Sequence, residues 1–138
     1  MIHGFLHAGL LVRDLSASLA FYQGVLGLSL RDDRPDLGYP GAWLDLGDGT
    51  QLHLMVLPNP DPTEGRPTHG GRDRHLALAV RDLEGIAKHL ETAGIPYTRS
   101  RSGRAALFCR DPDGNAIELV QTGNPSAVVG SHGRACYD

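Results

Sequence analysis

The nine residues His7-Ala-Gly-Leu-Leu-Val-Arg-Asp-Leu15 return as His75-Leu-Ala-Leu-Ala-Val-Arg-Asp-Leu83, identical at six of the nine positions. The repetition runs on down the chain. Leu26-Gly27-Leu28 answers Ala93-Gly94-Ile95 after a one-residue slip, and Asp48-Gly-Thr-Gln-Leu-His53-Leu answers Asp113-Gly-Asn-Ala-Ile-Glu118-Leu. Two copies of this length are too few and too long for a solenoid, so the repeat constrains the chain to one supersecondary unit used twice.

Each half reads the same way. Leu6 to Val12 and His75 to Val80 are short apolar runs that suit strands. Asp14 and Asp82 then stand where helix N-caps belong, followed at helical spacing by Leu15, Leu19, Tyr22 and Leu26 or by Leu83, Ile86, Leu90 and Ala93, with Gly27 and Gly94 as stops. Three further extended stretches follow each helix: Ser29 to Arg34, Ala42 to Leu46 and Gln51 to Val56, then Tyr97 to Arg99, Ala105 to Arg110 and Ala116 to Val120. The last two of each set are joined through Asp-Gly, a hairpin signal. The expected class is therefore α+β, built from paired βαβββ units.

Composition narrows the function. The 138 residues fit one domain over residues 1–122, with units near 5–57 and 75–121 and a Pro- and Gly-rich linker, 58–74, that orders poorly or becomes a lid. Residues 123–138 lack periodicity and read as a loose tail. Thirteen Lys and Arg against 16 Asp and Glu leave no basic field for nucleic acid. No apolar run reaches the roughly 18 residues of a membrane helix. The start lacks a charged n-region and a small-residue cleavage site, and two Cys without a C-x-x-C argue against a disulfide framework or thiolate zinc site, so a reducing cytoplasm is expected.

Seven His beside two Cys mean that a transition-metal site would use imidazole and carboxylate. The repeat superposes His7 on His75 and His53 on Glu118, four possible ligands at two equivalent places. Strand parity puts His7 on a face with Gly9, His75 with Ala77 and Glu118 with Ala116, small neighbours that leave room for an ion. If a pseudo-two-fold axis relates the halves, the four side chains converge. Any one of them alone is more simply a hydrogen-bonded core histidine or a solvent-facing Glu. A Glu within Ala-Ile-Glu-Leu-Val is expensive to bury unpaired, however, and a cation compensates it. Three imidazoles and one carboxylate suit Zn, Fe, Ni or Mn better than Mg or Ca.

These motifs, with Ala20-Phe21-Tyr22 and Asp111-Pro-Asp-Gly-Asn-Ala-Ile-Glu118-Leu, resemble the vicinal oxygen chelate superfamily from about Leu6 to Gln121. That superfamily includes glyoxalase I, extradiol dioxygenases, fosfomycin-resistance enzymes and bleomycin-binding proteins. The resemblance implies paired βαβββ units forming a curved mixed sheet cleft with a divalent metal on its floor, held at the positions of His7, His53, His75 and Glu118. It implies a small-molecule substrate bound through adjacent oxygens, a lyase or isomerase reaction with Glu118 as base, and a homodimer in which each cleft takes ligands from two chains. The alternatives within the family are extradiol-type ring cleavage and sequestration of an antibiotic or toxin without turnover.

Four details separate the subfamilies. Fosfomycin enzymes and extradiol dioxygenases place a tyrosine where this chain has Phe108, which counts against both. Glyoxalase I usually has a glutamate where this chain has His53. It also has an arginine and an asparagine for glutathione where Leu11 and Leu57 stand here, so glutathione dependence is not expected. The missing ligands of bleomycin-binding proteins are all present. The repeat further superposes Trp43 on Phe108, both candidates for lining the substrate pocket, with core packing the alternative. Arg99, Arg101 and Arg104 could meet an anionic substrate but read first as a solvated charge run.

Overall fold

The computed structural model describes residues 1–123. The described residues divide into two compact units, residues 1–66 with 111–115, and residues 67–110 with 116–123. The tail expected over 123–138 lies, from residue 124, outside the described residues.

In the first unit β1 (His7–Leu11) leads through Asp14 into α1 (Leu15–Leu19). The Asp14 carboxylate accepts from the Ala17 N–H at 3.2 Å, which fixes the helix start. The helix then widens into a π-helical turn over Ala20–Val25, where Leu26 N–H reaches Phe21 O, and Gly27 ends it at φ +78°. The strands β2 (Ser29–Leu30), β3 (Gly41–Asp45) and β4 (Gln51–Met55) complete a four-stranded sheet of order β1-β4-β3-β2, with β1 and β4 parallel. The strand expected over Ser29 to Arg34 is cut to two residues. Arg31 turns back onto Asp33 at 2.7 Å and Asp45 at 2.8 Å, and Pro35 has no N–H to donate.

The second unit repeats the plan with β5 (His75–Val80), α2 (Leu83–Thr92), β6 (Tyr97–Arg99), β7 (Ala106–Arg110) and β8 (Ala116–Gln121), in the order β5-β8-β7-β6. Here Asp82 caps the helix through Gly85 N–H at 3.0 Å, and Gly94 follows it at φ +70°. Among the described residues, two four-stranded mixed sheets with few helices make the α+β class read from the sequence.

Alternation decides what each sheet presents. Ala42, Leu44, Leu52 and Leu54 are buried in a core with Val12, Phe21 and Tyr22, which leaves Trp43, Gln51 and His53 on the opposite, half-buried face. In the second sheet Leu107, Cys109, Ile117 and Leu119 are buried with Leu83, Ala87 and Leu90 of α2. Phe108 and Glu118, directly opposite each other in register, take the other face.

The linker does not stay loose against this second sheet. Residues 67–74 form a strap with a 3₁₀ turn at Gly70–Arg72, tied down by the Arg110 guanidinium, which donates to Asp73 Oδ2 at 2.9 Å and to Pro67 O. A Cβ on Gly70 would stand 3.2 Å from Phe108 Cβ and 3.3 Å from Ala116 Cβ, so any larger residue would crowd the strap against both. Among the described residues no helix is long and apolar enough to cross a membrane.

Candidate metal centre

The parallel pairing of β1 with β4 sets Gly9 opposite His53, and β3 sets Trp43 on its other side. Three rings pile up as a result. His7 and His53 stack with centroids 4.0 Å apart and planes 14° apart, and Trp43 stacks on His53 at 4.4 Å and 8°. Burial, then the proximity of His7 and Arg34, pushes the His53 imidazole below its ordinary pKa. It is held neutral, as a metal ligand must be. Its Nε2 meets Gln51 Oε1 at 2.8 Å. An amide oxygen only accepts, so Nε2 carries the proton and Nδ1 keeps the lone pair.

The space expected beside His7 at Gly9 is taken. A Cβ at Gly9 would come 3.1 Å from Met55 Cε, so the glycine accommodates a methionine tip. Ala116 likewise receives Gly70 of the strap.

In the second unit His75 Nδ1 lies 2.8 Å from Asp73 O, and a carbonyl can only accept. Nδ1 therefore carries a proton, and Nε2 stands 3.3 Å from Glu118 Oε2. A ring nitrogen and a carboxylate oxygen at this distance share a cation between them, either a proton or a metal. Metal-binding histidines generally donate their second ring nitrogen to a carbonyl or carboxylate, and His75 is held in that way. Glu118 is only 4% exposed, and its other oxygen, Oε1, accepts from Arg104 Nη2 at 2.9 Å. The donor set on this face fits a divalent ion.

The four residues read from the repeat thus fall into two pairs, His7 with His53 in the first unit and His75 with Glu118 in the second. Among the described residues no group of three or more His, Cys, Asp or Glu side chains is placed to hold a metal. Trp43 is half-buried on His53. Phe108 is 7% exposed and packed: His75 meets it edge-on at 5.3 Å, His69 at 4.8 Å, and Gly70 closes over it. One side of Phe108 borders a cavity of about 310 Å³ shared with Thr68, Pro96, Thr98 and Arg110.

Sequence reading passed over Gln51 and His69 and treated Arg104 as solvated. Gln51 could have been found from its place two residues before His53, on the same face. His69, hydrogen-bonded through Nδ1 to Thr98 Oγ1 at 3.0 Å, gives no signal, because the strap's fold sets its place. Of the arginines, Arg99 is paired with Glu84 at 2.7 Å and Arg104 with Glu118.

A βαβββ unit used twice, with imidazoles and a carboxylate on matching strands, defines a paired-unit α+β protein. Residues 4–119 match the model of the Glyoxalase/Bleomycin resistance protein/Dioxygenase superfamily, and the chain belongs to that family. It is 33% identical to Glyoxylase I 4 of Arabidopsis thaliana, over 94% of this chain and 78% of that one. To the lactoylglutathione lyase of Haemophilus influenzae it is 30% identical, over 91% of this chain and 98% of that one. A glyoxalase family protein from Bacillus anthracis shares the fold with a TM-score of 0.71, at 22% identity, covering 89% of this chain and 98% of the other. The expectation that glutathione is not involved finds no support among these relatives, one of which is named for a glutathione conjugate. Leucine at positions 11 and 57 does not decide the substrate.

Proposed function

We propose that this chain is a metal-dependent enzyme of the lyase or isomerase class, with His7, His53, His75 and Glu118 holding a divalent Zn, Fe, Ni or Mn ion and Glu118 serving as base. The observation that carries the reading is the His75–Glu118 pair: a ring nitrogen and a buried carboxylate oxygen 3.3 Å apart, with the ring locked from behind by a backbone carbonyl. When bound, the ion supplies polarisation of a substrate carbonyl through two adjacent oxygens. Glu118 accepts a proton from one carbon and returns it to the neighbouring carbon. Trp43 and Phe108 set apolar rings beside the two ligand pairs and line the substrate pocket.

Each unit holds two of the four ligands, so we infer that a second copy of the chain completes the set, His7 and His53 coming from one chain and His75 and Glu118 from the other. For substrate class the relatives offer a start. Lactoylglutathione is a 2-hydroxyacyl thioester, an isomer of the hemithioacetal of a 2-oxoaldehyde and a thiol. Interconverting the two moves one carbon-bound proton to the adjacent carbon and one hydroxyl proton between their oxygens, which is what a base such as Glu118 can do. Thiol adducts of small 2-oxoaldehydes, glutathione included, are therefore the first class to assay.

The test is metal analysis of the purified protein followed by a substrate screen with and without oxygen. The expected result is about one ion per chain, turnover without oxygen uptake, and loss of turnover in Glu118→Gln. Oxygen consumption would point instead to ring cleavage, which Phe108 in place of a tyrosine already disfavours. A metal-free protein indifferent to chelators would point to sequestration. If Glu118→Gln kept both metal and turnover, the base role would be wrong.

A further inference from the structure

Glu118 gives its two oxygens to different partners. Oε2 faces His75 Nε2 at 3.3 Å, while Oε1 is occupied by Arg104 Nη2 at 2.9 Å. The guanidinium is held from behind by its own loop: Nε donates to Ser102 Oγ at 3.2 Å, and Ser102 Oγ pairs with Ser100 Oγ at 2.8 Å. The carboxylate is buried and the arginine side chain is 40% exposed, so the pair sits at the edge between protein and solvent. A guanidinium stays charged at any working pH and offers donors only. Oε1 is therefore neutralised permanently, and a carboxylate that already shares its charge attracts a second cation less.

We propose that Arg104 is a positioning residue that withholds Oε1 of Glu118 from the metal, presents Oε2 alone, and so weakens the centre's hold on its ion. This rests on the reading of Glu118 as a ligand. It predicts a sign that a structural prop would not give: removing the arginine's charge tightens metal binding, whereas losing a prop loosens it.

The experiment uses the full chain, with Zn²⁺ affinity measured by competition against a chromophoric chelator and Co²⁺ binding followed by visible absorption. Arg104→Gln and Arg104→Ala are expected to bind Zn²⁺ about tenfold more tightly or better, each tenfold being 1.4 kcal/mol. Their Co²⁺ spectrum changes as the second carboxylate oxygen becomes available. Arg104→Lys, which keeps the charge, stays close to wild type, and Ser102→Ala moves in the direction of Arg104→Ala by a smaller factor. Unchanged or weaker Zn²⁺ binding in Arg104→Gln, with a wild-type Co²⁺ spectrum, overturns the inference while leaving the ligand reading intact. A wild-type chain that binds neither ion overturns the ligand reading and the inference with it. Thermal unfolding of the metal-free variants confirms their fold, and if Arg104→Gln does not fold, Ser102→Ala carries the same test of sign.

Discussion

Tyr22→Phe removes one oxygen from the core and leaves the ring in place. Tyr22 is fully buried, and its hydroxyl donates to Asp111 Oδ2 at 2.7 Å. Asp111 is 5% exposed, and it also accepts from Asn115 Nδ2 and from the backbone N–H groups of Asp113 and Asn115, each at 2.9 Å. It heads the turn from which β8 emerges with Glu118. Burial pushes its carboxyl above the ordinary range, and the Asn115 and Tyr22 hydrogen bonds pull part of the way back. A hydrogen bond to an ionised acceptor contributes about 1.5–3 kcal/mol, and one between neutral groups about 0.5–1.5 kcal/mol. Tyr22→Phe should therefore cost about 2 kcal/mol at pH 7 and about 1 kcal/mol once the carboxyl is protonated. The sign follows from linkage. A carboxyl with a raised folded pKa lends its full stability below the unfolded value, near 3.8, and loses it as pH rises through the folded pKa. Losing Tyr22, which favours the charged form, raises that pKa further and widens the deficit on the alkaline side. Urea unfolding of both proteins, followed by circular dichroism from pH 7 down to pH 4, measures it. A deficit below about 0.5 kcal/mol at pH 7, or one that grows as the pH falls, refutes the reasoning.

Two further outcomes follow from packing and from the aromatic pile. Gly70→Ala pushes a methyl to within 3.3 Å of both Phe108 and Ala116, so it should cost about 1–3 kcal/mol in a denaturant titration; a neutral result would mean that the strap shifts freely. Trp43 is the sole tryptophan and lies 4.4 Å from His53, so Zn²⁺ binding should change its fluorescence, and His53→Ala should abolish that change. A Zn²⁺-induced change that survived in His53→Ala would place the ion elsewhere.

Much of the fold was legible because the repeat and burial alternation are local signals. His75–Val80 and Tyr97–Arg99 match their expected strands, and both aspartate caps bind where a capping residue should. What escaped depends on partners distant in sequence. The π-helical turn points Tyr22 at Asp111, 89 residues away, and nothing around Tyr22 encodes that reach. The strap looked like a flexible linker because Gly70 and Gly71 read as disorder until Phe108 lies beneath them. For the candidate site, the ligand-type side chains on matching strands were legible and their surroundings were not. Gly9 and Ala116 read as room for an ion but accommodate Met55 and Gly70, while Arg104 read as solvated and lies against Glu118. A long side chain on a loop can reach several residues along a sheet, and spacing alone cannot say which one it meets.

The central claim is that His7, His53, His75 and Glu118 form one ligand set drawn from two copies of the chain. Its most direct test is metal stoichiometry in a mixed pair made from a His7→Ala/His53→Ala chain and a His75→Ala/Glu118→Ala chain. Each double variant alone should bind no stoichiometric Zn²⁺, and the mixed pair should recover one ion per two chains, because one of its two sites is then whole. A mixed pair that stays empty while the wild type loads would contradict the shared set, and a double variant that keeps its full complement of metal would contradict the ligands themselves.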